Sequence, residues 1–172
     1  MRRPEPQGEI VFETPWFKIR SKELPESSPH YFIQTTDFVA VVALNEQGHL
    51  LLVRQFREGV GGMTLELPSG HVEEGDTPEE TARKELIEET GYEADRFELM
   101  SALSPSTSRY TSRLWCFFAK GIRPQPGAQV EKGLEPVFYT KGLKALLHEP
   151  EFCSAPNYGA LFLAVLSGKM TI

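Results

Sequence analysis

Hydrophobic residues along the chain fall into short runs, separated by polar, Pro-rich and Gly-rich punctuation. Residues 38–44 read Phe-Val-Ala-Val-Val-Ala-Leu, without a polar break and rich in β-branching, which predicts a buried strand. The turn Asn45-Glu46-Gln47-Gly48 and a second strand over 49–56 follow, so the two are expected to form a hairpin. Shorter runs at 10–12, 16–20 and 31–34 predict a small antiparallel sheet, with the turn-rich stretch 25–29 before its third strand. Residues 65–68 predict a strand ended by Pro68, and 114–119 and 137–139 two more. Helices are expected over 78–90, 141–148 and 157–167. Residues 1–8, rich in Pro and Arg, are expected to be a loose tail. Strands interleaved with a few helices indicate an α/β or α+β sandwich, with a strand-rich N-terminal part (1–36) ahead of a main domain (37–172).

Composition narrows the class. A chain of 172 residues is one domain by length and should bury about two-thirds of its unfolded surface. At 40 % hydrophobic and 24 % charged it is neither disordered nor collagen-like. Eighteen basic against 24 acidic residues leave a net charge of −6, which argues against a nucleic-acid partner. Small anionic ligands stay open, because a bound cation reverses the local field. Cys116 and Cys153 form no C-x-x-C pair, so no disulfide framework is expected and a reducing, cytoplasmic setting fits. No apolar region follows the basic start, so no signal peptide is expected, and the apolar stretch 158–166 is too short to span a bilayer.

The chemistry concentrates in residues 70–92. Thr77 reads as an N-cap, Pro78 as the first helical residue and Glu80 as the partner in a capping box. Gly91 ends the helix. Between these signals Glu85, Glu88 and Glu89 stand at i, i+3 and i+4, on one face, while Ala82 and Leu86 can pack on a sheet. Crowded carboxylates cost helix stability. They read either as a solvated acidic face or as a site for a hard cation, Mg²⁺ or Mn²⁺. The Gly-rich loop 70–75, which brings Glu73 and Glu74 near, and a helix capped at both ends favour the cation site.

This segment resembles the signature of the Nudix hydrolases, G-x5-E-x7-R-E-U-x-E-E-x-G-U with U apolar. Gly70, Glu85, Leu86, Glu88, Glu89, Gly91 and Tyr92 match, whereas Asp76 stands in place of Glu and Lys84 in place of Arg. The resemblance implies an α/β/α sandwich with a mixed central sheet, and hydrolysis of a nucleoside diphosphate linked to another moiety. It implies Glu85, Glu88 and Glu89 as metal ligands, with the Gly70 carbonyl beside them, and Glu88, Glu89 and Lys84 in the catalytic machinery. In the family the arginine at position 84 holds a catalytic glutamate; lysine lacks the planar fork and would hold it more loosely.

Further features resemble the ADP-ribose pyrophosphatase and nucleotide-sugar branch. These are Arg54-Gln55-Phe56-Arg57, the approach Leu65-Glu66-Leu67-Pro68-Ser69-Gly70, and the N-terminal strands. By that resemblance Trp16 and Tyr31 would stack on the base, Arg54 and Arg57 would contact phosphate, and Glu66 would add a polar or metal-linked contact. The alternatives are a core or interface role for the two aromatics and pairing with surface acids for the two arginines. The step 104–108 resembles the branch's Ser-Pro-Gly loop, but serine replaces the glycine and no acid follows before Leu114. The next carboxylates, Glu131 and Glu135, become candidates for the base, with Glu131 preferred because Glu135 abuts Pro136 and a strand. His71 is a minor candidate for phosphate contact, and Cys116 reads as a core thiol. The branch also implies a homodimer. Two other functions remain open: another Nudix specificity, such as dinucleoside polyphosphates or oxidised nucleotides, and a nucleotide-sugar sensor that does not cleave.

Overall fold

The computed structural model describes residues 6–171, so the first five residues of the expected tail lie outside the described residues. The apolar run at 38–43 forms β4 (Phe38–Ala43), and its parity sorts two cores. Val39, Val41 and Ala43 pack with Leu51 and Phe117 against Ala82 and Leu86 of helix α1 (Pro78–Thr90). Ala40 and Val42 pack with Leu52, Cys116 and Phe118 against Ala160, Leu161 and Ala164 of helix α3 (Ala155–Leu166). A strand with a helix over each face needs apolar residues at every position, which is why this run shows no alternation.

β4 lies between β7 (Ser69–His71) and β9 (Leu114–Pro124), and β8 (Tyr92–Leu103) completes the sheet in the order β7-β4-β9-β8. β4 and β9 run parallel and the other pairs antiparallel, so the sheet is mixed. A second, antiparallel sheet has β5 (Leu50–Arg57) between β10 (Glu135–Tyr139) and β6 (Gly62–Glu66). A short helix, α2 (Leu143–Leu146), follows β10. The result is the expected α/β/α sandwich, in which sheets dominate.

The expected 38–56 hairpin is corrected. Its turn forms, with Gly48 N–H donating to the Asn45 carbonyl (2.9 Å) and a bridge between Leu44 and Leu50. Beyond it the strands diverge into different sheets, because β4 spends its edges on β7 and β9, and β5 on β6 and β10. β8 was not expected at all. A register shift between Leu99 and Ser101 breaks its alternation, and Glu93, Asp95, Arg96 and Glu98 put charge along its first part.

The N-terminal strands β1 (Glu9–Glu13), β2 (Lys18–Lys22) and β3 (His30–Gln34) form the expected antiparallel sheet. It joins the body where Ile33 N–H donates to the Arg109 carbonyl (2.6 Å) and Thr111 N–H to the Ile33 carbonyl (3.0 Å). Its outer strand β1 is exposed throughout. No helix among the described residues is long and apolar enough to cross a membrane.

Candidate functional site

Helix α1 is built rigidly. Thr77 Oγ1 accepts from Glu80 N–H (3.2 Å), the Glu80 carboxylate accepts from Thr77 N–H (2.8 Å), and Pro78 opens the helix. Gly91 ends it in the left-handed conformation (φ 74°) and donates to the Ile87 carbonyl (2.7 Å). Ala82 and Leu86, both fully buried, fix its rotation on the sheet. That rotation carries Glu85 and Glu89 toward β7.

Glu89 is 6 % exposed, and its carboxylate accepts from Ser69 N–H (2.8 Å). Glu85 lies over Gly70 so closely that a Cβ there would stand 1.7 Å from its Oε1. Only a residue without a side chain leaves this contact open. Burial first, and then Glu88, Glu131 and Glu73, push the Glu85 carboxyl up to about 7. Burial likewise pushes Glu89 up to about 8; Glu85 and Glu131 add to the rise, while the Ser69 bond and Arg57 oppose it. These acids also stand in the second half of a helix, where the dipole disfavours negative charge. Burial, mutual repulsion and dipole all act against the ionised forms, and a cation would relieve all three.

Among the described residues no three His, Cys, Asp or Glu side chains already surround one point closely enough to hold an ion. Two carboxylates with a backbone carbonyl and substrate oxygens suit Mg²⁺, which is seldom caged by protein alone. The Gly70 strand, Glu85 and Glu89 provide such a set.

The segment carrying Glu131 docks on the same helix: Glu131 N–H donates to the Glu88 carbonyl (2.9 Å). Glu131 acts electrostatically on both Glu85 and Glu89. Glu135 goes elsewhere, 3.6 Å from Arg54 Nη1 at the start of β10.

Lys84 Nζ pairs with Asp76 (2.6 Å), so the two departures from the signature meet each other. Arg83 pairs separately with Glu79 (2.8 Å).

Both candidate arginines are held by carboxylates. Arg57 forks onto Glu66 (3.0 and 2.8 Å), which also accepts from Thr64 Oγ1 (2.7 Å). Arg54 forks onto Glu151 (2.7 and 2.8 Å), ahead of α3. Arg57 points to the α1 side, where it acts on Glu89. Trp16 is 78 % exposed and Tyr31 half-exposed on the N-terminal sheet. His71 bonds Thr36 Oγ1 through Nδ1 (3.1 Å) and lies beside the Phe38 ring. Cys116 is buried, and burial pushes its thiol up to about 12, as a core thiol requires.

A cavity of about 230 Å³ opens beside Gly70 and His71, between the Arg57–Glu66 pair and the first turn of α3. Ser154 and Asn157 line it, and the sequence reading missed both. They lie more than 60 residues beyond the signature, in a segment with no motif of its own.

Residues 35–137 match the NUDIX domain family. The chain is 36 % identical over 96 residues to an ADP-ribose pyrophosphatase of Bacillus subtilis, covering 55 % of this chain and 49 % of that protein. It is 31 % identical over 108 residues to a methanol dehydrogenase activator of Bacillus methanolicus, covering 62 % and 58 %. It is 29 % identical over 117 residues to the ADP compounds hydrolase NudE of Escherichia coli, covering 67 % and 63 %. The chain therefore spans less than two thirds of the length of these curated relatives. A crystal structure of an ADP compounds hydrolase superposes with a TM-score of 0.78 at 25 % identity, over 95 % of this chain and 94 % of that one.

Proposed function

The chain belongs to the NUDIX domain family, and from that premise we propose that it hydrolyses the pyrophosphate bond of ADP-ribose or another nucleoside diphosphate sugar. The products are a nucleoside monophosphate and a sugar phosphate. The observation that carries this reading is the approach of Glu85 to Gly70 and of Glu89 to Ser69, with Glu131 acting on both carboxylates. The names of the relatives supply the substrate class.

Nudix hydrolases generally need a divalent cation. The Gly70 carbonyl, Glu85, Glu88 and Glu89 would hold Mg²⁺ or Mn²⁺ in this chain. When bound, such an ion neutralises the diphosphate and makes water a stronger acid. Glu131 then accepts the proton of the attacking water. The water oxygen forms a bond to one phosphorus, the bridging P–O bond breaks, and the electron pair leaves with the other phosphate. Arg57 spends two N–H donors on Glu66 and keeps three for a phosphate oxygen. Arg54 braces Glu151 and serves a phosphate only through its remaining donors.

Trp16 and Tyr31 stack on the base, presented by the N-terminal sheet. The N-terminal sheet β1–β3 acts as a subdomain that also forms a homodimer, because β1 exposes Val11 and Phe12 and the turn after it exposes Trp16. Nucleic acid and membranes are not partners in this reading. A cytoplasmic setting keeps the two free cysteines reduced.

The test is product analysis by phosphorus NMR across nucleotide sugars, dinucleoside polyphosphates and nucleoside triphosphates, with Mg²⁺ or Mn²⁺. Turnover of ADP-ribose or a nucleotide sugar, abolished in Glu89→Gln, is the expected result. Binding without cleavage of any of them would overturn the hydrolase reading in favour of a sensor. Sedimentation as a monomer at micromolar concentration would remove the homodimer.

A further inference from the structure

The cavity beside Gly70 is walled on its far side by the start of α3, where two polar side chains are withheld from local bonds. Ser154 occupies the N-cap position but makes no side-chain cap bond. An N-cap serine ordinarily accepts from the first-turn N–H groups. Three residues on, Asn157 is 4 % exposed, and its Nδ2 is buried without a hydrogen-bond partner. Leaving a buried amide unpaired is costly, so one in a cavity wall points to an occupant of that cavity.

The position of this wall is not accidental to the site. Arg54 grips Glu151 with two bonds, and the Glu151 carbonyl accepts from Leu65 N–H (2.8 Å), which ties the lead-in of α3 to β6. Phe152 is fully buried, and Tyr158 Oη donates to its carbonyl (2.8 Å). The backbone around Ser154 and Asn157 is therefore held on both sides.

The chemistry of the cavity selects its occupant. The Arg57 guanidinium is already matched by the Glu66 carboxylate, so this pair brings no net charge. The Phe38 ring adds an apolar wall. An amide and a hydroxyl can each both donate and accept, as sugar hydroxyls do. A diphosphate is complemented by the cation and by the remaining Arg57 donors, which leaves the α3 wall of the cavity to an uncharged group.

We propose that this cavity receives the uncharged, hydroxyl-rich group on the far side of the diphosphate from the nucleoside, with Asn157 as the specificity-determining residue and Ser154 assisting it. The proposal rests on the hydrolase reading for the placement of the diphosphate, and it goes further in assigning the sugar end of the substrate to α3.

The test compares ADP-ribose with an ADP ester of a short alkanol, which keeps the nucleotide and diphosphate but lacks the distal hydroxyls. Wild type, Asn157→Leu and Ser154→Ala are measured for kcat and KM on both compounds, and by calorimetry for binding with divalent ions chelated. Asn157→Leu should weaken ADP-ribose about tenfold or more in KM and in binding, while the alkyl ester moves less than about twofold. Ser154→Ala should show the same preference at smaller size, and it serves if Asn157→Leu does not fold. Equal changes for both compounds, or none for either, overturn the proposal. A wild type that binds ADP-ribose without cleaving it sinks the hydrolase reading, while the differential loss of binding still decides the role of Asn157. A wild type with no affinity for either compound overturns both.

Discussion

Gly70→Ala is the sharpest perturbation of the site, because it adds one methyl group and removes nothing. The new Cβ would stand 1.7 Å from Glu85 Oε1, 2.0 Å from its Cδ and 2.6 Å from Oε2. Ordinary contact begins near 3.4 Å. The carboxylate must therefore retreat by roughly 1.5 Å, or β7 must shift away from α1 by a similar amount. The clash is with the end of a flexible side chain, so stability should fall toward the lower end of the usual overpacking range, about 1 kcal/mol. Geometry suffers more. A misplacement of about 1 Å in a positioned group costs on the order of 100-fold in rate, equivalent to about 2.7 kcal/mol of transition-state stabilisation. We expect kcat/KM on ADP-ribose to fall about 100-fold, with weaker Mg²⁺ activation and a thermal midpoint only a few degrees lower. Gly59→Ala is the control, since nothing lies within 4 Å of its added Cβ. Steady-state kinetics across a Mg²⁺ titration, with calorimetric melting, decide the matter. Turnover within about twofold of wild type at ordinary Mg²⁺ would refute the argument that Glu85 must occupy the space over Gly70.

Four further outcomes are expected. Glu131→Gln should lower kcat by about 100-fold or more with KM little changed, and a wild-type turnover number would exclude Glu131 as the base. Glu85 and Glu89 bind protons more tightly in the folded than in the unfolded chain. With divalent ions chelated, stability should thus fall as pH rises from about 4.5 to about 8, and saturating Mg²⁺ should flatten that slope; a chelated midpoint that climbs over this window would contradict the sign. Lys84→Ala and Asp76→Ala should lower turnover by similar factors, and the double variant should be no worse than either alone, because the two act as one pair; additive losses would show separate roles. Leu86→Ala, at a fully buried anchor of α1, should cost about 2–5 kcal/mol by denaturant titration, and a loss below about 1 kcal/mol would show that α1 is not fixed by this contact.

What the chain reveals without its fold is what is local. The 78–90 helix, its capping box and the face shared by Glu85, Glu88 and Glu89 depend on residues within about four positions of one another. The apolar runs at 38–44 and 114–119 announced burial on both faces for the same reason: each position declares its own solvation. Tertiary structure alone decided which partners these elements took. The turn at 45–48 is legible, but the divergence of β4 and β5 depends on competition from β7, β9, β6 and β10 for their edges. β8 was illegible because its irregular register follows β9, not its own periodicity. Arg54 met Glu151 across 97 residues and Glu131 met the end of α1 across 43, pairings that no local propensity encodes. Asn157 is the clearest case. Nothing in its neighbourhood of sequence marks it, and only the packing of α3 against the sheet brings an unpaired amide to the cavity beside Gly70.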